Sequence, residues 1–273
     1  MNIAFIGGGN MAAALIAGLA NKLTAGANIH VADPNAAALA RLQQQYGVST
    51  AAAADAALAD ADVIVLAVKP QSMREVAAQL LPFLTAARQP LIVSIAAGIR
   101  GADLSRWLGG YGAIVRCMPN TPALIGKGIT GMVAMPGVSA AQRQTADAIL
   151  CAVGPTVWLD DERKIDAVTA VSGSGPAYVF YFIEAMQRAA EEMGLSAEQG
   201  KQLALATFTG AAELAQQSNE PVSLLRERVT SKGGTTYAAL TSMEASGVQG
   251  AIIAAMKAAA ARGQELGDQL GAA

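Results

Sequence analysis

Three glycines and an alanine near the start of the chain have the spacing of a phosphate-binding turn. The run Gly7-Gly8-Gly9-Asn10-Met11-Ala12 satisfies the pattern G-x-G-x-x-A. It follows a strand-like run at 2–6 and opens a helical pattern at 11–20, which is the context that the pattern requires. Gly7 permits a tight turn, Gly9 lets the main chain approach a diphosphate, and Ala12 keeps helix and strand close. Backbone N–H groups at the helix start would then bind the diphosphate of a dinucleotide.

An acidic residue lies where dinucleotide-binding domains carry one for the adenosine ribose. Asp33 comes 21 residues after Ala12, close to the usual offset of about 20 residues. A carboxylate there favours NAD because it repels a 2′-phosphate, and the nearest arginine that follows, Arg41, lies well inside the next helical pattern. Alternatively, Asp33 caps that helix, with Pro34 in its first turn. The two roles are compatible, and the predicted cofactor is NADPH or NADH.

Two further segments follow strand-like runs, at positions where ligands bind in open α/β sheets. Ala67-Val68-Lys69-Pro70 ends the run that starts at residue 62. This would place Lys69 near the cofactor, unless it is an ordinary surface lysine. The segment 94–98 ends the next run with small residues, and Ala97 leaves room for a flat nicotinamide ring.

A third such segment, at 116–123, offers groups suited to the nicotinamide side. Arg116 supplies a cation, Asn120 an amide, and Pro122 one of two rigid turns. We expect this loop to lie beside the nicotinamide ring.

Two runs of glycine and hydroxyl residues precede helical patterns in the second half of the chain. Ser172-Gly173-Ser174-Gly175 comes before one helical pattern, and the run 230–236 comes before another. Hydroxyls and free N–H groups at a helix N-terminus suit a carboxylate, whereas the competing explanation of the first run is a capping turn. We expect the two runs to receive one small anion.

Several kinds of chemistry are excluded by composition. The single histidine, His30, lies in a strand-like run, so a histidine-rich metal site cannot be built and no metal is predicted. Cys117 and Cys151 lack the CxxC spacing and are expected to be reduced structural thiols. The net charge of −2, with both signs spread along the chain, argues against a nucleic-acid partner.

The order of these segments predicts an α/β fold with two domains. Short apolar runs alternate with helical patterns up to the charged run 160–164, and only helical patterns follow. We predict a Rossmann dinucleotide-binding domain with a mostly parallel sheet over 1–160, and an all-α domain over 161–273. Apolar runs are shorter than the roughly 20 residues of a membrane span, and no secretory pattern is visible. We therefore expect a cytoplasmic protein with no membrane partner.

Taken together, these motifs resemble those of the pyrroline-5-carboxylate reductase family nearly from end to end. The matching segments are FIGGGNMA, AVKP, SIAAG, RCMPNTPA, SGSGPAYVF and VTSKGGTT, in that order. The resemblance implies reduction of 1-pyrroline-5-carboxylate to L-proline by a nicotinamide dinucleotide. It also implies a homodimer formed through the C-terminal helices, with a pentamer of dimers as a further assembly.

The resemblance also assigns residues by position. The family's dinucleotide contacts fall on the segments 7–12 and 67–70 of this sequence, and Thr236 matches a hydroxyl near the substrate ring nitrogen. Segment 172–177 would lie beside it. The residues that match the family's substrate carboxylate site are Ser231, Gly233, Gly234, Thr235 and Thr236.

This sequence departs from the family pattern at two places. Lys232 stands where many members have proline, which would alter the rigidity of the loop or add a cation near the carboxylate. In some NADPH-using relatives, an asparagine in the matching segment helps to bind the 2′-phosphate. The stretch 51–54 of this sequence has no amide side chain for that purpose. A rival, the β-hydroxyacid dehydrogenase class, needs a lysine that the segment 172–186 lacks. A non-catalytic dinucleotide sensor would not need the second pair of glycine runs.

Overall fold

The apolar runs of the first half of the chain form one eight-stranded sheet in a computed structural model, which describes residues 1–20, 22–84 and 89–272. The strand order is 3-2-1-4-5-6-7-8. Its strands are β1 (Ile3–Ile6), β2 (Ile29–Ala32), β3 (Ser49–Ala51), β4 (Val63–Leu66), β5 (Leu91–Ser94), β6 (Ile114–Met118), β7 (Thr130–Ala134) and β8 (Thr156–Trp158).

The sheet is mostly parallel, as predicted. Strands β1 to β6 pair in parallel, whereas β7 runs antiparallel to β6 and parallel to β8. Strand β1 lies between β2 and β4, so the chain order reverses there. Ligands of open α/β sheets bind at the carboxyl ends of the strands at such a reversal.

Helices cover both faces of the sheet, because successive side chains of a strand point to opposite faces. Ile3 and Phe5 of β1 belong to one buried apolar cluster, and Ala4 and Ile6 belong to the other. All four residues of β1 are buried, as expected of a strand with helices on both sides.

The helices of the described chain follow the predicted order, since they alternate with strands in the first part and stand alone after residue 160. They are α1 (Asn10–Leu19), α2 (Ala36–Tyr46), α3 (Met73–Leu80), α4 (Gly101–Trp107), α5 (Ala140–Cys151), α6 (Lys164–Val168), α7 (Gly175–Glu192), α8 (Ala197–Gln217), α9 (Val222–Arg228), α10 (Thr235–Ala245) and α11 (Val248–Ala272). The predicted fold class, an α/β Rossmann domain followed by an all-α domain, is confirmed. Within the described residues, no helix is long and apolar enough to cross a bilayer.

Four elements were not predicted, namely strand β3 and the helices α4, α6 and α9, of which α6 has five residues. Strand β3 is only three residues long and only partly buried, so it has little apolar periodicity. Helices α4 and α9 have seven residues each, too few for a clear helical pattern.

Contacts within the chain group into two compact units. The first contains residues 1–174 together with the end of the chain from residue 259, and the second contains residues 175–258. The grouping differs from the division at residue 160, which stays a prediction about domains. Within the first unit, Arg100 at the start of α4 contacts Asp268 near the end of α11 at 2.6 Å.

Candidate functional site

The glycine turn after β1 has the tight geometry that its spacing predicts. Gly7 has φ +101°, a backbone conformation that favours glycine. A Cβ on Gly7 would lie 2.5 Å from the carbonyl oxygen of Ala67, and the Ala67 N–H donates to the Ile6 carbonyl at 2.8 Å. The turn therefore holds the ends of β1 and β4 together at the point where the strand order reverses.

The start of α1 is open to a ligand. Gly9 precedes the first helical residue with φ −69°, and a Cβ built on it would meet nothing within 4 Å. The first helical hydrogen bond comes from the Ala13 N–H to the Gly9 carbonyl. The N–H groups of Asn10, Met11 and Ala12 thus lack intrahelical acceptors, and they fit the diphosphate of a dinucleotide. The Ala12 side chain is buried against the sheet, as expected.

Asp33 fixes the glycine turn to the end of β2. Its Oδ2 accepts a hydrogen bond from the Gly8 N–H at 2.6 Å, and its Oδ1 accepts one from the Asn35 N–H at 2.7 Å. The alternative that Asp33 caps the next helix is wrong, because the Asn35 side chain accepts from the N–H groups of Ala37 and Ala38. Gly8 is buried, and its N–H is already bonded, so it is not free for a phosphate.

A cleft of about 560 Å³ lies at this edge of the sheet. It brings together six of the predicted cofactor residues, namely Gly7, Gly9, Asp33, Ala67, Val68 and Lys69. Pro70 follows Lys69 as the first residue of a short 3₁₀ turn before α3. The cleft is further lined by Pro34, the stretch 52–54 and one face of α3, on which the Gln79 amide donates to Glu75 Oε1 at 3.3 Å.

Glu75 and Gln79 are cleft residues that sequence reasoning missed. They are spaced four apart on α3, so they share one helix face, and α3 follows directly after the segment 67–70. Because α3 follows the predicted cofactor segment at the end of a strand, its polar residues could have been identified from the sequence as candidates for the cleft.

The residues predicted beside the nicotinamide do not line this cleft. Ala97 is exposed after β5. The Asn120 side chain is bonded at both ends, since its Nδ2 donates to the Ser172 carbonyl at 3.1 Å and its Oδ1 accepts from the Ile129 N–H at 2.9 Å. Pro122 lies in a 3₁₀ turn that follows Asn120. A role of these residues toward nicotinamide stays a prediction.

The Arg116 cation is not free for a ligand in the way that was expected. The side chain is buried, and its Nη1 contacts Glu162 Oε1 at 2.9 Å. The same Glu162 oxygen accepts the Gly101 N–H at 2.6 Å. Burial of a guanidinium requires such a partner, so Arg116 ties β6 to the segment before α6, and Glu162 links that segment to the start of α4.

The Ser-Gly-Ser-Gly run precedes a helix as expected, since α7 begins at Gly175, but its first two residues end a π-helical turn. Residues 169–173 form a π-helical turn directly after α6, and Ser174, with αR dihedral angles, lies between that turn and α7. The Ser172 hydroxyl donates to the Val168 carbonyl at 3.0 Å, and the Ser174 N–H donates to the Thr169 carbonyl at 2.8 Å. Substrate contacts by Ser172, Ser174 and Gly175 stay a prediction.

The second glycine run does form a helix N-terminus. Helix α10 begins at Thr235, and Gly233 has φ +75°. The Gly234 N–H closes the turn onto the Ser231 carbonyl at 2.9 Å, and the first helical bond comes from Ala238 to Gly234. Backbone N–H groups of the first helical turn, including those of Thr235 and Thr236, thus have no intrahelical acceptors. The loop residues Ser231 and Lys232 are exposed.

Comparisons with known proteins agree with this arrangement. A family model described as pyrroline-5-carboxylate reductase dimerisation matches residues 162–266, and one described as NADP oxidoreductase, coenzyme F420-dependent, matches residues 2–98. A pyrroline-5-carboxylate reductase of Pseudomonas aeruginosa is 49% identical over 98% of this chain and 98% of its own.

Two solved structures are similar over nearly the whole chain. A pyrroline-5-carboxylate reductase from Coxiella burnetii has a TM-score of 0.92 at 39% identity and covers 97% of this chain and 98% of its own. The Plasmodium falciparum pyrroline carboxylate reductase with NADP bound has a TM-score of 0.86 at 30% identity and covers 98% of each chain. The chain thus belongs to the pyrroline-5-carboxylate reductase family.

Proposed function

We propose that this protein reduces 1-pyrroline-5-carboxylate to L-proline with NADH or NADPH, the last step of proline biosynthesis. The observation that carries the proposal is the 49% identity to a pyrroline-5-carboxylate reductase over 98% of both chains. The open helix start at Gly9 and the free N–H groups of the first turn of α1 support a dinucleotide. The glycine turn before α10 supports a small carboxylate.

The reaction makes modest demands on the protein. Reduction of a cyclic imine needs a hydride over the carbon of the C=N bond and a positive charge on the nitrogen, which water can protonate before binding. The bound dinucleotide supplies the hydride. A strong acid in the protein is then not required, and positioning of the substrate supplies most of the rate enhancement. This explains how a chain with a single histidine, about 200 residues before the glycine run at 233–234, can perform the reaction.

In this proposal, the turn before α10 binds the substrate. The unbonded N–H groups of the first turn and the partial positive charge of the helix N-terminus attract a carboxylate. Gly233 and Gly234 bring the backbone close to the ligand, Ser231 and Thr235 supply hydroxyls, and the Thr236 hydroxyl contacts the ring nitrogen.

An initial-rate assay tests the reaction. Loss of dinucleotide absorbance is followed with 1-pyrroline-5-carboxylate and either NADH or NADPH, and proline is measured as the product. We expect oxidation that depends on the imine. If neither dinucleotide is oxidised, the proposal is overturned and the sensing alternative gains support. Turnover of a 3-hydroxy acid with NAD⁺ instead would support the dehydrogenase alternative.

Thr236→Ala tests the role assigned to that hydroxyl. We expect kcat to fall by about tenfold or more, because a hydrogen bond to a charged group is worth about 1.5–3 kcal/mol, while the Kd of the dinucleotide stays near the wild-type value. Thr241→Ala, on the same helix but outside the turn, is the matched control. An unchanged kcat in Thr236→Ala would remove Thr236 from the mechanism.

We further propose a homodimer through the C-terminal helices, assembled as a pentamer of dimers, in the cytoplasm. Large apolar side chains of α7 such as Phe180 and Tyr181 are 60% and 73% exposed in the single chain, which favours burial against a second copy. Both cysteines are free thiols, in keeping with a reducing compartment. Light scattering gives the mass of the assembly, and a monomer would contradict the proposed dimer. Fractionation of cells tests the location.

A further inference from the structure

We propose that the protein selects NADH over NADPH and that Asp33 is the residue that makes this selection. The proposal rests on the proposed function, because it concerns the dinucleotide that the reductase would use. The Plasmodium falciparum relative has NADP bound, so the preference is argued from the residues of this chain alone.

The first step is the fixed orientation of the Asp33 carboxylate. Its two oxygens each accept one backbone hydrogen bond, from Gly8 and from Asn35, at 2.6 and 2.7 Å. The side chain is part of the cleft wall beside Gly7 and Gly9. The carboxylate therefore cannot turn away without breaking two hydrogen bonds, and a negative charge stays at the end of β2.

The second step is the remaining acceptor capacity of the same group. An ionised carboxylate can accept about four hydrogen bonds, and two are in use, so each oxygen can still accept a ribose hydroxyl. The 2′-hydroxyl of NADH is such a donor. The 2′-phosphate of NADPH is mostly doubly ionised near neutral pH, and in that form it offers only acceptors to Asp33.

The third step is the charge of the surrounding cleft. Next to Asp33 the wall consists of Pro34 and the alanine stretch 52–54, which provide no cationic side chain. Among the described residues that line the cleft, Glu75 is a second carboxylate and Lys69 the one basic side chain. Two carboxylates thus face one ammonium group, and a phosphate monoester would add to the excess of negative charge.

Binding measurements on the full-length protein test the selection without any turnover. NADH and NADPH are titrated separately, in the absence of the imine, and their Kd values are obtained from nicotinamide fluorescence. Hydrogen bonds to a charged group change an equilibrium by about tenfold or more. We therefore expect NADH to bind at least about tenfold more tightly than NADPH.

Asp33→Asn and Asp160→Asn form a matched pair of variants. Asp33→Asn removes the charge and keeps one side-chain acceptor, and it should reduce the NADH preference by about tenfold. Asp160 is exposed after β8, which runs opposite to β1 and lies at the other end of the sheet order. Asp160→Asn should leave the preference unchanged while it changes the net charge by the same amount.

Two results would overturn the selection: wild-type protein that binds NADPH as tightly as NADH, or an Asp33→Asn variant with an unchanged ratio of Kd values. The wild-type measurement needs no variant, so it can refute the proposal even if the Asp33→Asn protein folds poorly. A wild-type protein that prefers NADH but does not turn over the imine would instead contradict the proposed function.

Discussion

Replacement of Gly7 by alanine should destabilise the protein even when no ligand is present. The backbone at Gly7 has φ +101°, and a Cβ there would lie 2.5 Å from the Ala67 carbonyl oxygen and 3.2 Å from the Val68 nitrogen. A non-glycine residue in such a conformation costs about 1–3 kcal/mol. The overlap is with backbone, so strand ends must shift, at a further cost of about 1–3 kcal/mol.

The matched variant is Gly9→Ala, two positions further along the same turn. Gly9 has φ −69°, and its added Cβ would meet no atom within 4 Å. We expect the free energy of unfolding to stay within about 1 kcal/mol of the wild type, since the loss of glycine freedom in the unfolded chain roughly offsets the weaker helix cap. The methyl group would nonetheless occupy the space over the start of α1 where the diphosphate approaches.

Urea unfolding of the ligand-free proteins and NADH titration separate the two effects. We expect Gly7→Ala to lose about 3 kcal/mol of stability, which corresponds to a Tm lower by roughly 6–12 °C. Gly9→Ala should keep its stability and bind NADH at least about tenfold more weakly. The reasoning is refuted if Gly7→Ala is as stable as the wild type, or if Gly9→Ala binds NADH normally.

Three other predictions follow from buried or closely packed groups. Burial raises the pKa of the Cys117 thiol while Cys151 is exposed, so Ellman's reagent should label one thiol per native chain and two in denaturant; two fast-reacting thiols would contradict this. A Cβ on Gly18 would lie 2.6 Å from the backbone carbonyl oxygen of Ala152, so Gly18→Val should cost about 1–3 kcal/mol in urea unfolding, and an unchanged midpoint would count against the packing of α1 on the end of α5. Burial raises the pKa of Tyr111 from 10.0 to about 12, so the neutral phenol is favoured in the folded state. Its contribution to stability is present below pH 10 and is lost as the pH rises toward 12, and alkaline absorbance titration of wild type against Tyr111→Phe should show one late-ionising tyrosine.

Features that depend on a few neighbouring residues could be predicted from the sequence. The tight turn at Gly7 and the start of α10 after Gly234 both follow from local spacing, because backbone freedom and helix initiation are decided within a few residues. The mostly parallel sheet also follows from local signals, since buried parallel strands need almost continuous apolar runs.

Features that depend on distant partners could not be predicted. Arg116 looked like a cation for a ligand, but it is buried against Glu162, 46 residues further along the chain. Glu75 and Gln79 enter the cofactor cleft only because α3 is packed beside the ends of β1 and β4. The run at 172–175 leads into α7 as its composition predicts, but that Ser172 and Gly173 also end a π-helical turn continuing from α6 could not be predicted.

Asp33 illustrates the difference between features that depend on neighbouring residues and features that depend on distant partners. The sequence by itself determined that a carboxylate follows β2 at the distance expected of a ribose ligand, because that distance is a property of one βαβ unit. Only the tertiary structure decided that this carboxylate binds the Gly8 N–H rather than capping α2, since β1 and β2 must first pair before those atoms meet. A short-range pattern fixes which groups are available, and the packing of the sheet decides which of them remain free for a ligand.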